Sequence, residues 1–360
     1  MTVRQDRQTR RPPLAGGWSV RGAEGSVARK RHCACSGGDD ALKRIKFAKD
    51  CNEIRGESLI LQKRIYIMGV VDTYKFAERM HDYTSLFSYA SWLKTLQNGT
   101  PTDVSTVYRK YDEGLQLGEP LTYLSYLGWV YRCLQKSYRN EYVYKNELIN
   151  KYIIRKFGKT SSVAVNEFRV GDAIADLTLF NGESKCFEIK SDLDSPQRLS
   201  MQMASYQRVF EKCYILVSLE SVNTYYDLVN DAVGILSLRY CRNGKISIQI
   251  EREAKRNEFV DVNVLMRSVR ANEYRWMVKQ AFGVLPDVSD FEMFEACKSK
   301  LRELPHDKLH KLFCEAVKTR KTKVRDLVDT TPMFRQMTLS MNMSRDNMLK
   351  LENVFNHVIV

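Results

Sequence analysis

Long apolar runs are missing from this 360-residue chain: no stretch of 18 or more apolar residues occurs, so no segment meets the length a bilayer-spanning helix needs. The N-terminus also lacks the apolar core of a secretory signal, and the chain is expected to be soluble, unsecreted and cytoplasmic. Its start is Arg-rich and acid-poor like a transit peptide, but Pro12-Pro13 and scattered glycines break any amphipathic helix there. A disulfide framework is excluded too. The nine cysteines are odd in number, run from Cys33 to Cys314 and suit a reducing compartment. His32, Cys33 and Cys35 could ligate a metal, yet no second Cys/His pair lies at zinc-site spacing. No internal repeat is present.

Acid is in deficit as well. Fifty-seven Lys and Arg stand against 43 Asp and Glu, a net charge of +14, which points to a polyanionic partner, nucleic acid ahead of an acidic membrane surface. Almost half of that excess lies in the first 36 residues, where eight basic groups from Arg4 to Arg31 face only Asp6 and Glu24. Charge alone is therefore a weak guide to the rest of the chain.

A 44% hydrophobic content supplies ample core, and the length exceeds what one core usually fills. Four regions are expected: a disordered basic tail over 1–40, a helical region over 41–140, a β-rich core over 141–252 and a helical C-terminal region over 253–360. In the second, Leu121, Leu124, Leu127, Val130, Tyr131 and Leu134 carry helical spacing after a break at Gly118 and Pro120. The tyrosines there (Tyr108, Tyr123, Tyr126, Tyr131) read as helix packing rather than base stacking.

Proline nearly vanishes between 141 and 252, where only Pro196 occurs. The patterning predicts a helix over Glu141–Phe157, then strands over Ser162–Val170, Ala173–Phe180 and Lys185–Lys190, with a hairpin at Asn181-Gly182. Ser195-Pro196 is expected to open a helix reaching about Glu211. The apolar run Cys213–Leu219 suits a strand covered on both faces, and Val233–Tyr240 with Lys245–Glu251 forms a second hairpin at Asn243-Gly244. The class is α/β: an αβββαβ core with a mixed sheet and an appended hairpin. Helices follow over Asp261–Phe282, Ser289–Glu303 and Asp307 to about Arg320.

Chemistry concentrates at one place. In Cys186-Phe187-Glu188-Ile189-Lys190, strand alternation sets Glu188 and Lys190 on one face, while Asp176 interrupts the apolar run of the preceding strand. Two carboxylates brought together repel, and a divalent cation is the usual remedy; removing either is expected to relieve that repulsion. Register decides whether they meet. A two-residue loop would oppose Asp176 to Phe187, whereas a three-residue loop, Asn181 to Glu183, opposes it to Glu188. On the next helix Arg198, Gln202 and Tyr206 share a face beside the apolar stripe of Leu199, Met203 and Phe210. Arg198 in the first turn opposes the helix dipole, which a nearby phosphate would explain. E-x-K alone is common, and Glu253 and Lys255 repeat it in a charged stretch without strand pattern. The ordered set of Asp, hairpin, E-I-K and capped Q-x-x-x-Y helix is rarer.

On these residues the stretch from Asn166 to Val217 resembles a PD-(D/E)XK superfamily nuclease core, with Asp176, Glu188 and Lys190 as its D…ExK signature. Gln202 and Tyr206 match the Q-x-x-x-Y of the RecB-type branch. E-I-K-S-D at Glu188–Asp192 is similar to a little-characterised bacterial nuclease-like family, whose C-terminal part Leu265–Arg320 also resembles. Ala175 stands where the signature has proline, and residues 1–140 match no known pattern. The resemblance implies a restriction-endonuclease-like fold and a Mg²⁺-dependent nuclease, Mn²⁺ substituting, that hydrolyses phosphodiester bonds in nucleic acid, with DNA the expected substrate. It implies Asp176, Glu188 and the Ile189 carbonyl as metal ligands, Lys190 at the attacking water or phosphate, Gln202 and Tyr206 as orienting groups, and a helix glutamate, Glu147, as a further ligand with Glu167 its rival. Arg198 and the basic run Lys318–Arg325 would meet the nucleic-acid backbone. Two other readings compete: a nuclease-fold protein that binds nucleic acid without cleaving it, and a protein-interaction module. Oligomeric state is left open.

Overall fold

The alternating residues at the centre of the chain build a six-stranded mixed sheet, wrapped by helices from both sides of it in sequence. The computed structural model describes residues 69–359 except 116, 118, 119, 242, 243, 321 and 322. The basic tail expected over 1–40, the start of the first helical region, and Gly118, Asn243 and Lys321 lie outside the described residues.

Four helices come first: α1 Gly69–Ser85, α2 Tyr89–Asn98, α3 Thr102–Tyr111 and α4 Tyr123–Ser137. Polar caps fix their ends, as when the Ser88 hydroxyl accepts from the Ser91 amide and Thr122 and Ser125 cap each other at the start of α4. The predicted stripe on α4 is realised, with Leu127, Val130 and Leu134 fully buried. Tyr126 and Tyr131 are buried beside them, in keeping with packing rather than base stacking.

Next, Asn140 caps α5 Glu141–Leu148, which runs on through a π-helical turn, Ile149–Ile153, into α6 Ile154–Phe157. This is the one helix expected over Glu141–Phe157, widened in the middle where Asn146 and Asn150 both donate to the Pro332 carbonyl at 3.0 and 3.1 Å. The strands are β1 Val163–Val170, β2 Ala173–Phe180, β3 Ser184–Ile189, β4 Lys212–Ser218, β5 Gly234–Tyr240 and β6 Ile246–Arg252. Between them lie α7 Leu199–Tyr206 and α8 Val222–Leu228. The sheet order follows the sequence, antiparallel at β1–β2–β3 and β5–β6, parallel at β3–β4–β5. The α/β class and the αβββαβ order with an added hairpin are as the sequence indicates.

Helices α9 Val262–Ser268, α10 Ala271–Phe282, α11 Met293–Arg302, α12 His306–Val317, α13 Arg335–Ser340 and α14 Arg345–Phe355 complete the chain. One sheet face buries Phe168, Phe180 and Phe210 against α7 and Phe313 of α12; the other buries Leu177, Phe187 and Tyr214 against Tyr144, Ile149 and Tyr152. A third core joins α1–α4 to Phe334, Leu351 and Phe355 from the end of the chain. The described residues all belong to one unit, Arg44–Val360.

Three helices differ from expectation, the one placed over Ser289–Glu303 beginning at Met293. The one placed over Ser195–Glu211 begins only at Leu199, because the Pro196 carbonyl takes the Leu199 amide in a tight turn at 3.0 Å. It ends at Tyr206, where the amides of Arg208 and Val209 turn back to carbonyls three residues earlier. The helix placed over Asp261–Phe282 splits at Val269 and Arg270, both extended, since Glu273 accepts from the Arg270 amide and starts a new N-terminus.

Candidate active site

The β2–β3 hairpin turns through three residues, Asn181 to Glu183, with Gly182 at φ 105° and Phe180 opposite Ser184. Paired residues run from there to Leu177 opposite Phe187. Continued one step beyond its last pair, that register sets Asp176 level with Glu188, as the three-residue loop requires and a two-residue loop without a bulge would not. At this point the Asp176 side chain takes over from the backbone, its Oδ2 accepting the Ile189 amide at 2.7 Å.

Glu188 is 2% exposed and wholly engaged. Its Oε1 accepts from Lys190 Nζ at 3.0 Å and its Oε2 lies 2.8 Å from the Tyr206 hydroxyl. That hydroxyl is also 2.6 Å from the Ile174 carbonyl, so one proton serves two acceptors and ties α7 to β2 and β3. Lys190 also donates to Gln202 Oε1 at 3.2 Å. Four of the residues singled out by motif thus form one hydrogen-bonded chain, Gln202–Lys190–Glu188–Tyr206, next to Asp176.

Burial pushes the Asp176 carboxyl up, against the opposing pull of the Lys145 ammonium and the Ile189 amide. Burial and then the neighbouring Asp176 charge push Glu188 up. Burial also raises the Tyr206 hydroxyl, with Glu188 adding to it. The site holds more negative charge than its surroundings solvate.

Lys145 was not legible as a functional residue. It is buried on α5, with its Nζ 3.3 Å from Asp176 Oδ1 and paired to Glu141. Burial alone would lower its pKa, but Asp176 and Glu141 outweigh it and hold Lys145 above its ordinary value. The only trace in the sequence is the Glu141, Lys145 spacing of i, i+4 on the helix before the sheet.

The remaining residues divide. Glu147 is placed apart from the pair: Tyr131, Gln135 and Asn150 donate to its Oε1 at 2.8, 3.0 and 3.2 Å, so the helix groups facing Asp176 are Lys145 and Glu141. Helical phase explains this, since residues 145 and 147 point to different sides of one turn. Glu167 sits in β1 between Asn166 and Phe168, whose partners Leu177 and Ala175 flank Asp176. It is exposed and left-handed at φ 53°, a strained backbone for a non-glycine residue. Arg198 is exposed at the head of α7, outside the hydrogen-bonded chain. Of the basic run, Arg320 is engaged by Glu273 at 2.7 and 2.8 Å and lies over Phe168, which makes it structural.

Asp176, Glu188 and the Ile189 carbonyl are hard oxygen donors of the kind Mg²⁺ takes, and the crowding of buried negative charge is what a divalent cation relieves. The donor chemistry fits. Among the described residues no group of three or more His, Cys, Asp and Glu forms a metal cluster; the partners of the pair are the Ile189 amide, Lys145, Lys190 and Tyr206. A cleft of about 380 Å³ is lined by Lys145, which pairs with Asp176, and by Glu141. A larger one of about 530 Å³ opens beside Glu211, Lys255 and Arg256 and shares no residue with the site. No helix among the described residues is long and apolar enough to cross a membrane.

Residues 135–349, more than half of the chain, match the family of bacteriophage P4 protein cII, and they contain the whole sheet with Lys145, Asp176, Glu188, Lys190, Gln202 and Tyr206. The chain belongs to that family. Among curated proteins, protein cII of Enterobacteria phage P4 is 27% identical over 124 residues, which cover 33% of this chain and 47% of that protein. The chain thus spans about half the length of the curated relative it matches. Among solved structures, a protein of unknown function from Silicibacter pomeroyi aligns over 41% of this chain and 94% of its own, at 17% identity and a TM-score of 0.27.

Proposed function

We propose that Asp176, Glu188 and Lys190 form the active site of a metal-dependent nuclease that hydrolyses phosphodiester bonds in nucleic acid, DNA first. The observation that carries this reading is the three-residue hairpin loop, whose register, running to Leu177 opposite Phe187, puts Asp176 next in line with Glu188 while Glu188 holds Lys190 at 3.0 Å. A purely structural ion pair needs only Glu188 and Lys190. The PD-(D/E)XK resemblance supports the same assignment.

Asp176, Glu188 and the Ile189 carbonyl would hold Mg²⁺ or Mn²⁺, which supplies charge neutralisation on the phosphate and an acidified water. The chain's own residues prepare the rest. Lys190 is steered by Glu188 and Gln202 together, so its ammonium is directed to where an anionic phosphate oxygen or the attacking water is met. Tyr206 fixes the Glu188 rotamer from the other side. Lys145 opposes the burial that pushes the Asp176 carboxyl up, and gives a second cation within reach of a phosphate.

The test is a cleavage assay of the purified full chain on single- and double-stranded DNA and RNA, with Mg²⁺, Mn²⁺ or a chelator. Cleavage of at least one substrate that the chelator abolishes is expected; intact substrates under every condition would reject the reading. The same Lys145 favours a second reading, nucleic-acid binding without cleavage, because its ammonium already satisfies an Asp176 oxygen. Binding in the assay without any cleavage would select it.

A further inference from the structure

The cleft beside Asp176 combines features the nuclease reading does not use. Phe87, buried at 4% exposure, and Tyr142 stack on each other in the helical core with centroids 5.0 Å apart and wall the cleft, while Tyr89, also lining it, is 57% exposed. Packing accounts for Phe87 and Tyr142 but not for Tyr89, whose ring is left largely in water next to a charged site.

Polar groups of a particular kind line the same cleft. Gln336 is 4% exposed, and its Nε2 donates to Asn166 Oδ1 at 2.9 Å. Its Oε1 has no hydrogen-bond partner among the described residues, a buried acceptor wanting an N–H. Glu141 and Glu167 add further acceptors. The strained backbone of Glu167 lies here too, where strain collects at functional sites.

Continuity with the proposed site is direct. Lys145 both lines the cleft and pairs with Asp176 Oδ1, and Asn166, also lining it, pairs in register with Leu177 beside Asp176. A group in the cleft is therefore one residue from the carboxylate pair. Its volume of about 380 Å³ lies in the ~300–1,000 Å³ range of ligand sites.

We infer that this cleft receives an unpaired, amino-bearing nucleobase of the substrate strand, next to the phosphodiester at Asp176. Aromatic faces stack any base. The acceptors select bases with an exocyclic amine, which adenine and cytosine have and thymine lacks. A base inside a duplex is out of reach of such a cleft, so the substrate is single-stranded or frayed at the bond attacked. The inference rests on the nuclease reading for its substrate, but binding can be measured without cleavage.

The experiment uses the full chain in chelator with a short single-stranded DNA carrying 2-aminopurine, whose fluorescence falls on stacking. Quenched, saturable binding is expected, with Tyr89→Ala weakening it about tenfold, the equivalent of ~1.4 kcal/mol, and Tyr89→Phe restoring it. Gln336→Leu should erase the preference for oligo-dA over oligo-dT; circular dichroism checks its fold, and the Tyr89 pair decides the case if it misfolds. Blunt duplex should give no quenching. Equal affinity of wild type and Tyr89→Ala would overturn the inference. So would a 2-aminopurine mononucleotide that binds as tightly as the strand, since the cleft would then serve free nucleotides. If cleavage is found while Tyr89→Ala changes nothing, this inference alone falls. If the quenching depends on Tyr89 and no substrate is cut, the nuclease reading alone falls.

Discussion

Asp176 accepts the main-chain amide of Ile189 through its own carboxylate at 2.7 Å, where a strand would ordinarily offer a carbonyl. One side chain thereby ends the β2–β3 ladder and pins the peptide between Glu188 and Ile189. The relationship makes Asp176 both a structural cap and half of a carboxylate pair, and these roles separate under substitution.

Asp176→Asn keeps an acceptor for the Ile189 amide and removes a charge that burial disfavours. It should leave stability unchanged or raise it by about 1 kcal/mol. Asp176→Ala instead orphans that amide and leaves Lys145 with Glu141 alone, at a cost of about 1–3 kcal/mol. Relief of repulsion, which the sequence suggests for either removal, is thus confined to the isosteric change. Urea unfolding of both variants in chelator checks it; equal losses would show that the bond to Ile189 contributes nothing.

Lys145 places its ammonium against an oxygen that a divalent cation would share. Lys145→Gln should tighten Mg²⁺ binding by about tenfold, roughly 1.4 kcal/mol, read from the Mg²⁺ dependence of the melting temperature. Weaker Mg²⁺ binding in the variant would mean that Lys145 holds Asp176 in place instead of competing for it.

At the other end of β3, on the sheet face that carries α7 and α12, burial pushes buried His310 down to about 4, despite Glu211 Oε2 at 3.3 Å from its Nδ1. Ser184 Oγ sits 2.7 Å from its Nε2. The unfolded chain takes up a proton below the ordinary value of 6.5 that the fold refuses until about 4. Stability from this group is complete above pH 6.5 and falls as pH drops to about 4, by about 3 kcal/mol at most. Denaturant midpoints measured from pH 7.5 to 4 should show that slope in wild type and a flatter one in His310→Gln. Parallel curves would assign the acid sensitivity elsewhere.

Gly234 pairs with Tyr214 where β5 meets β4, and an added Cβ would collide with the Tyr214 ring and come 2.8 Å from the Ala254 amide nitrogen. Gly234→Ala should cost about 2 kcal/mol by overpacking. An unchanged melting temperature would mean the ring moves aside freely.

Strand periods and turn residues made the sheet legible. Ala173–Phe180 has the bounds read from alternation, and the odd loop at Asn181 to Glu183 followed from requiring two carboxylates on one face. Helix ends were less legible. Ser195 and Pro196 carry good start signals, yet a local turn at Pro196 takes the first amide and delays the helix to Leu199. Lys145 and the separation of Glu147 from the site depend on how α5 docks on the sheet, which is a matter of tertiary packing and leaves no periodic mark. Nor could charge counting show that Arg320 is consumed by Glu273, 47 residues away.

The most direct test of the account is the single-turnover cleavage rate of wild type and Lys190→Met on the same substrate with Mg²⁺, with melting temperatures measured alongside. The account predicts a rate lower by at least about a hundredfold in the variant, with the melting temperature within a few degrees of wild type. Equal rates in two folded proteins would contradict the assignment of Asp176, Glu188 and Lys190 as the active site.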